Sequence, residues 1–502
     1  MKREKTNKLP GSFGSEERSR EYEVRVKKAK KLHEQGVEAW PAHEPINATC
    51  TQVIEEYIEG EEPHEYAIAG RIMSIRLHGR TAFAHIQDWS GRLQVYIRED
   101  IVGDTAFTFF EQFIDIGDII WVVGHPFKTK TGEITLKAKK FKLLSKCLHP
   151  LPEKFHGLVD IETIYRQRYL DLLTNPESRG RFLKRSAIIL HMRSYFDQHG
   201  FLEVETPILH PIAGGAIARP FITHHHAHDM DLYLRIAPEL YLKRLIIGGF
   251  ERIYEIGRCF RNEGISTKHN PEFTMAEFYI AYQDYHFMMD FIEKMLKTIA
   301  EEINASLQLP FGDITVDLSK PFTRLSMKDA VKQYTGLSDR DLTPENIDET
   351  ICKKGLEVSK KTSWGQKLYL LFEELVESKI EQPTFIIGFP IEVSPLAKRD
   401  PENSNIAARF ELFIAGMEIA NGFNELNDPF DQAQRFREQA TLKAEGDEEA
   451  HYYDADYILA LEHGLPPTVG AGIGIDRLTM LMTNKTSIRD VILFPTLKKK
   501  RE

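Results

Sequence analysis

Between Phe250 and Tyr282 the chain runs through two alternating segments joined by a polar loop, FERIYEIGRCFRNEGISTKHNPEFTMAEFYIAY. A period of two predicts a strand on each side of the loop, with odd and even positions on opposite faces. In the first segment Ile253, Glu255, Gly257, Cys259 and Arg261 share a face. In the second, Phe273, Met275, Glu277 and Tyr279 share one, while Thr274, Ala276, Phe278 and Ile280 take the other. An aromatic ring, a carboxylate and a phenol thus line one surface, with a guanidinium where the loop begins. That surface suits a flat heterocycle, a cationic group and a phosphate. A sheet edge with incidental charges is the plainer alternative, but half-buried strand faces rarely carry Arg and Glu without partners.

Upstream, Tyr66 to Lys146 reads as short strands separated by turn signals at Trp89-Ser90-Gly91 and Thr131-Gly132, a pattern that predicts a small barrel. A two-residue turn at Ser90-Gly91 would pair Gln87 with Gln94. Phe83, His85, Gln87, Gln94, Tyr96 and Arg98 then share one face, and Ala82, Ala84, Ile86, Leu93, Val95 and Ile97 the other. The second set makes a core. The first offers rings for base stacking and amides for base edges, the way an OB-fold holds single-stranded nucleic acid, although the pattern by itself favours an ordinary polar outer face. Proline and glycine cluster from His149 to Gly157 and place a boundary just after Cys147. Arg179 to His199 predicts a helix ended by Gly200, then a strand over Phe201 to Glu205 stopped by Pro207. Asp290 to Pro383 alternates helical patterns with loops and carries no evident chemistry.

Glu411 and Glu418 are seven residues apart and would face opposite ways along one straight strand. A two-residue turn at Ala415-Gly416 pairs Phe413 with Glu418 instead, so Glu411, Phe413, Glu418 and Ala420 project from one face. Hard divalent cations that keep several waters prefer converging carboxylates of this kind. Spacing alone favours two solvated acids on a surface hairpin.

Composition narrows the class without fixing the function. The chain has 502 residues, 42% apolar and 28% charged, ordinary values for a globular protein of about three domains. Its four cysteines, Cys50, Cys147, Cys259 and Cys352, are scattered and show neither zinc spacing nor a disulfide framework. No apolar run is long enough to span a bilayer and the N-terminus is charged, so a cytoplasmic location is expected. A net charge of −10 is unpromising for an RNA binder, but it conceals seven lysines against one acid, Glu133, between Phe127 and Lys146, and a second basic segment at Lys27, Lys28, Lys30 and Lys31. Such runs are usually solvated faces; only the barrel lying between them raises the case for phosphate contact. His224, His225, His226 and His228 lack accompanying acids or cysteines at ligand spacing and read as a polar strand end. Lys498-Lys499-Lys500-Arg501 reads as a solvated tail.

FRNEGISTKHNPEFTMAEFY resembles motif 2 of the class II aminoacyl-tRNA synthetases, in its lysyl-tRNA synthetase form. GFLEVETPIL (Gly200 to Leu209) is similar to motif 1 and GIGIDRLTML (Gly472 to Leu481) to motif 3. GGAIARPFITHH, IAPELYLKRL and NGFNELND resemble lysine-pocket segments of the same family, in its bacterial type. The resemblance runs in order from about Tyr66 to Pro495. It implies an α+β chain: an N-terminal helical extension (1–65), an OB-fold anticodon-binding domain (66–148), a linker (149–176), and a class II catalytic domain (177–502). That domain is expected to be an antiparallel sheet flanked by helices, with a helical insertion at about 290–383.

The implied activity is ligation of L-lysine to the 3′ end of tRNA(Lys) through a lysyl-adenylate, with ATP as substrate and magnesium ions bound beside it. No nucleophile elbow or P-loop is present, consistent with catalysis by positioning and charge. By resemblance, Arg261 bridges the lysine carboxylate and the α-phosphate, and Arg477 holds the γ-phosphate. Glu263 and His269 flank ATP, Phe273 stacks the adenine, Gly474 lies at the phosphates, and Glu411 and Glu418 hold magnesium. Gly215 and Glu239 receive the α-ammonium, Glu425 with Tyr279 the ε-ammonium, and Asn421 with Arg261 the carboxylate. Glu277 and Phe423 also belong to the lysine pocket. Turning Asn421, Phe423 and Glu425 toward the pocket requires a bulge near Asn421-Gly422. In the barrel, Phe83 stacks an anticodon base, with Gln94 and Glu133 reading base edges. The Arg179–His199 helix and the strand after it form a homodimer interface. Ile217, within GGAIARP, stands where a small polar residue is common. An aspartyl or asparaginyl enzyme would need a pocket without Glu239 and Glu425. An idle RNA-binding paralogue would not need both arginines and both metal carboxylates, and a protein-lysylating enzyme would not need the barrel.

Overall fold

Alternation of apolar and polar residues builds the first strands. β1 (Tyr66–His78), β2 (Thr81–Gln87), β3 (Arg92–Arg98), β4 (Ile119–Lys128) and β5 (Ile134–Ser145) close a barrel in the order β1-β2-β3-β5-β4. The computed structural model describes residues 20–62, 64–152, 160–359, 362–444, 446, 450 and 452–499. Two compact units divide the chain after Gly157. In the first, helices α1 (Arg20–Glu34) and α2 (Cys50–Glu55) send Leu32, Cys50 and Val53 into the same core as Ala82, Ala84, Ile86, Leu93, Val95 and Ile97. α3 (Glu99–Val102) and α4 (Asp104–Phe113) follow β3, and α4 adds Phe107, Phe110 and Phe113.

The β2–β3 register differs from the expected one. Gln87 pairs with Arg92, and Gln94 with His85. Asp88 causes the change, because its Oδ1 accepts from the backbone N–H groups of Ser90 (2.8 Å) and Gly91 (3.0 Å) and closes a longer turn. A slip of two residues leaves every side chain on its expected face. The basic run of this unit is partly neutralised. Lys128, Lys139 and Lys142 pair with Glu59, Glu65 and Glu44, while Lys146 is buried between Asp115 and Asp118.

In the second unit, α5 (Ile161–Arg166) and α6 (Arg168–Thr174) occupy residues expected to be linker. Asp160 caps α5, and Arg168 is fully buried on Asp171 and on the carbonyls of Arg489 and Leu493. A buried arginine with all its partners is a packed element, so the linker expectation is corrected from Asp160 onward. α7 (Pro176–Gln198) leads to β6 (Leu202–Glu203), β7 (Leu209–His210), β8 (Ile222–His225), β9 (Met230–Leu234) and α8 (Glu239–Ile247). β10 (Arg252–Phe260), β11 (Glu272–Ala281) and α9 (Tyr285–Asn304) come next. The stretch 290–383 is not helix and loop alone. Beside α10 (Met327–Thr335), α11 (Ile347–Lys353) and α12 (Trp364–Leu375) it carries the β12 (Gln308–Phe311), β13 (Ile314–Asp317) hairpin and β14 (Thr323–Ser326). β14 joins the main sheet through β15 (Thr384–Ile387), so the segment is an extension of that sheet as well as a cap on it.

β16 (Arg409–Ile414), β17 (Met417–Asn424), α13 (Pro429–Ala444), α14 (Ala455–Glu462), β18 (Thr468–Gly474) and α15 (Ile475–Met482) complete the chain. Among the described residues the sheet has eight strands in the order β14-β15-β16-β17-β18-β11-β10-β6, antiparallel except at its two ends. Helices α7, α9 and α15 bury one face, where Ala276, Phe278, Ile280, Val469, Ala471 and Ile473 meet Ile188, Phe196, Met288 and Leu478. On the opposite face, α8, α13 and α14 cover only one part, around Tyr279, Leu242, Phe436 and Tyr457. The remainder stays open as a cleft. Among the described residues no helix is long and apolar enough to cross a membrane.

Candidate active site

The β10–β11 pair places Ile253 opposite Tyr279, Glu255 opposite Glu277, Gly257 opposite Met275 and Cys259 opposite Phe273. These residues therefore share one face of the sheet, as the alternation predicts, with Ile253 and Tyr279 beneath α8 and Phe273 and Met275 at the open cleft. The adjoining strand, β18, reads Val-Gly-Ala-Gly-Ile-Gly from Val469. Its valine, alanine and isoleucine enter the core, while Gly472 and Gly474 line the cleft and Gly470 lies against Tyr279 and Glu425 on the same face. Glycine at every second position lowers the floor of the groove by a side chain's depth. This signal is legible in the sequence, although the resemblance points to Gly474 alone.

The hairpin of β16 and β17 turns at Ala415 (φ 53°) and Gly416 (φ 67°) and pairs Phe413 with Glu418, as expected. The bulge is not at Asn421-Gly422. It lies at Ile419, because Leu412 pairs with Ala420 and Glu411 with Asn421. One extra residue flips the remainder of the strand, so Asn421 and Phe423 join the face of Glu411 and Glu418 while Ala420 enters the core. Only unbroken alternation would keep Ala420 beside Glu418, and the bulge breaks it.

One cleft of about 200 Å³ is lined by Arg261, Glu263, Lys268, His269, Phe273, Met275, Glu418, Gly472, Gly474 and Arg477. Arg261 lies with its Cζ 5.1 Å from the centre of the Phe273 ring, and its buried Nε has no hydrogen-bond partner. Arg477, on the first turn of α15, donates to the Glu418 carbonyl (2.8 Å), pairs with Glu418 Oε2 (3.2 Å) and lies 3.0 Å from His269 Nε2. Burial and the Arg477 charge hold His269 below the usual imidazole range. Asp476 fixes the start of α15: it accepts from the Thr274 N–H at 2.7 Å and pairs with Arg185 of α7 at 2.7 Å. Lys268 spans the cleft wall and donates to the Gly416 carbonyl.

Glu411 does not line this cleft. It lies one strand further out, buried, on the same face as Glu418 and bonded to Arg409. Arg409 also donates to Asn421 Oδ1 at 3.3 Å and packs over Phe389. Burial pushes Glu411 up to about 8, opposed by Arg409 and reinforced by Glu418 and Glu377. Excess negative charge and hard oxygen donors fit a small divalent cation. Among the described residues no group of three or more His, Cys, Asp or Glu is arranged to hold a metal ion. A cation here would rest on two carboxylates and complete its shell with water and phosphate oxygens.

A second, buried cluster lies beneath α8. Glu239, Glu277 and Glu425 are nearly inaccessible, and the Tyr279 hydroxyl donates to Glu277 at 2.7 Å. Gly215 (φ 90°) packs so closely on Glu239 and Ala237 that a side chain there would crowd both. Gly470 is tighter still, since a Cβ would overlap the Tyr279 ring and Glu425 Oε1. Glu425 Oε1 has no hydrogen-bond partner. Burial and then Glu239 push Glu277 up to about 8, and burial raises Glu239 and Glu425 as well. The ammonium among them belongs to Lys243. Nothing in the sequence pattern marks it out, although it stands four residues after Glu239 on one helix face. Phe423 lies at the rim, its ring 5.5 Å from Lys243 Nζ. The clusters meet along β18, where Asn421 pairs with Gly472 and Met275 with Gly474.

In the barrel, Phe83 stacks on Tyr96 with ring centres 4.6 Å apart, and Phe127 lies 5.9 Å beyond. Gln94 donates to Glu133 Oε2 (2.8 Å) and accepts from Thr135; His85 reaches Glu133 Oε1 at 2.9 Å. Ring and polar atoms are therefore side by side on the outer face. The histidine cluster lies on the exposed β8–β9 hairpin, with His224 bonded to Asp231 at 2.9 Å.

A family model for "tRNA synthetases class II (D, K and N)" matches residues 160–498, and one for an "OB-fold nucleic acid binding domain" matches residues 66–144. The chain belongs to the class II tRNA synthetases of the aspartate, lysine and asparagine group, carries the OB-fold, and is an ATP-using aminoacyl-tRNA ligase. Within that group its curated relatives include the Lysine--tRNA ligase of Carboxydothermus hydrogenoformans, 52% identical over 476 residues, which cover 95% of this chain and 97% of the relative. The Lysine--tRNA ligases of Oceanobacillus iheyensis (50% over 493 residues) and Staphylococcus aureus (51% over 495 residues) each align over 97% of this chain and their own full length.

Proposed function

We propose that this enzyme activates L-lysine as lysyl-adenylate and transfers it to the 3′ end of tRNA(Lys) in protein synthesis. The observation that carries the choice of lysine is the buried cluster of three carboxyls, Glu239, Glu277 and Glu425, beside the cleft. An anionic or amide side chain would meet repulsion or unpaired charge there, whereas lysine brings two ammonium groups. The similarity to three lysine--tRNA ligases at 50–52% identity supports the same reading.

Lysine's carboxylate attacks the α-phosphorus and pyrophosphate leaves, so the protein's task is to position the reactants and stabilise spreading negative charge. Arg261 is proposed to bridge the carboxylate and the α-phosphate; its unpartnered Nε supports this. Phe273, stacked on Arg261, offers the surface for adenine, with Glu263 and His269 at the sides of the nucleotide and Gly474 under the phosphates. Arg477 takes the γ-phosphate. Gly215 and Glu239 receive the α-ammonium, Glu425, Tyr279 and Glu277 the ε-ammonium, with Phe423 along the stem and Asn421 at the carboxylate. The terminal ribose hydroxyl of the tRNA then attacks the adenylate carbonyl, and AMP leaves. Glu411 and Glu418 are the residues to hold magnesium, which would supply positive charge for the phosphate oxygens.

Phe83 is proposed to stack an anticodon base, with Gln94 and Glu133 at base edges. A homodimer is proposed through α7 and the sheet edge at β6, where Leu183, Leu190 and Leu202 are exposed without an intrachain reason. The cytoplasm is the proposed compartment, supported by four free cysteines. ATP–pyrophosphate exchange across the amino acids, followed by charging of purified tRNA, tests the function. Lysine-dependent exchange and lysine charging are expected; exchange driven by aspartate or asparagine would overturn it.

A further inference from the structure

Lys243 Nζ is fully buried, 2.6 Å from Glu239 Oε1 and 2.5 Å from Glu425 Oε2. The rings of Phe423 (5.5 Å) and Tyr457 (5.9 Å) close around it. Resting on the proposed choice of lysine as substrate, we infer that Lys243 is a positioning residue for amino-acid selection: its ammonium ties Glu239 of α8 to Glu425 at the end of β17, and so sets the spacing and charge of the carboxylates that grip the two ends of the substrate.

Charge gives the first reason. Lys243 meets Glu239 from its own helix, Glu425 after β17 and Tyr457 from α14, and its charge reaches Glu277 of β11; Tyr279 donates to Glu277, and Arg409 of β16 acts on Glu239. Three carboxyls lie around one ammonium. Burial and mutual repulsion raise all three carboxyls and the ammonium opposes that rise, so removing it would hold their protons more tightly, and a protonated carboxyl grips a cation weakly. Geometry adds a second reason. The ammonium of Lys243 lies closest to Oε2 of Glu425, while Oε1, on the Tyr279 and Gly470 side, has no hydrogen-bond partner. An internal cation that takes one lobe of a carboxylate aims the other lobe at the substrate. The helix fixes the Glu239–Lys243 pair by its own four-residue spacing, while the Glu425 contact reaches from helix to sheet. The ammonium therefore clamps one wall of the pocket to the other.

The test uses the full-length enzyme in ATP–pyrophosphate exchange, with lysine and ATP varied at several pH values. Lysine-dependent exchange by the unaltered enzyme establishes the underlying reading; its absence would defeat that reading rather than this inference. For Lys243→Met, the lysine KM should rise about tenfold or more near neutral pH, and the deficit should shrink as rising pH strips protons from the carboxyls, while the ATP KM stays within about twofold. Lys243→Arg keeps the charge but alters the spacing. Its lysine KM should rise several-fold with the pH profile of the unaltered enzyme, and it carries the test if the Met variant does not fold. Equal losses for lysine and ATP, or a Met-variant deficit independent of pH, would reduce Lys243 to a structural ion pair. A lower lysine KM in Lys243→Met would show that the internal ammonium competes with the substrate. An Arg variant with an unchanged lysine KM would show that spacing does not matter. Any of these results overturns the inference.

Discussion

At the scale of single residues, three carboxyls, Glu239, Glu277 and Glu425, are held where water is scarce. Glu425 is the sharpest case, buried and with one oxygen unpartnered. Replacing it by glutamine removes the charge that the ε-ammonium would meet. Hydrogen bonds to charged groups contribute on the order of 1.5–3 kcal/mol, and breaking a buried ion pair costs roughly 3–5 kcal/mol. Glu425→Gln should therefore lower kcat/KM for lysine by roughly tenfold to several thousandfold, at about 1.36 kcal/mol per decade. ATP affinity without lysine should hardly change, and norleucine should be rejected less strongly; normal lysine kinetics with weakened ATP binding would move Glu425 to the nucleotide site. Glu277 yields a prediction in pH. Burial raises it from the ordinary 4.5 to about 8, so the folded state holds its proton longer than the unfolded chain. Its contribution to stability is complete below the unfolded value and is lost as pH rises through about 8. Denaturation of the unaltered enzyme relative to Glu277→Gln should show this loss between about pH 4.5 and 8, and no further trend above it. A difference independent of pH across that window would contradict the burial argument.

At the scale of elements, the site is made by where strands place their alternation and where they break it. β18 keeps its alternation and uses it to leave a bare glycine floor. Gly470→Ala would force a methyl group into Tyr279 and Glu425. Overpacking of this kind costs about 1–3 kcal/mol, so the lysine KM should rise by roughly tenfold while the ATP KM moves much less. Steady-state exchange kinetics would reveal it, and an equal effect on both substrates would mean that the floor serves the whole cleft. β17 breaks its alternation at Ile419, and the break brings Asn421 to the face of Glu411 and Glu418. If that face holds magnesium, Glu411→Gln and Glu418→Gln should each raise the magnesium concentration needed for half-maximal adenylate formation, because each removes one formal charge. Unaltered magnesium titrations for both variants would sink the paired-carboxylate assignment.

At the scale of the molecule, two compact units divide two tasks, and each is tested without disturbing the other. The stacked Phe83–Tyr96 pair and the Gln94–Glu133 bond occupy the barrel of the first unit; the cleft lies wholly in the second. Phe83→Ala should weaken tRNA binding by about 1–3 kcal/mol, the usual loss of one base–aromatic stack. Lysine-dependent pyrophosphate exchange without tRNA should stay near normal. Equal losses in both assays would point to damage to the fold instead.

Which side chains share a face can be read from the chain without its fold. Alternation in Ile253–Arg261 and Phe273–Tyr279 puts Phe273, Glu277 and Tyr279 on one face, with the arginine at the strand end, and the odd-even pattern around Phe83 survives a register slip, because a shift of two residues preserves the face. The turn at Ala415-Gly416 is readable because glycine readily takes the positive φ that a two-residue hairpin requires, and Gly416 takes it (φ 67°). Features that depend on a single inserted residue or on a distant partner emerge only on packing. The bulge at Ile419 has no local signature; it is set by how β17 must lie between β16 and β18. Arg168 reads as a linker charge until the carbonyls of Arg489 and Leu493 close over it. Lys243 reads as half of an ordinary helical pair with Glu239, and only the sheet, arriving with Glu425, makes it a cation shared between two buried acids whose charge also reaches Glu277. Periodicity is a local property and so is written in the sequence; charge balance in a buried site is a property of the packed whole.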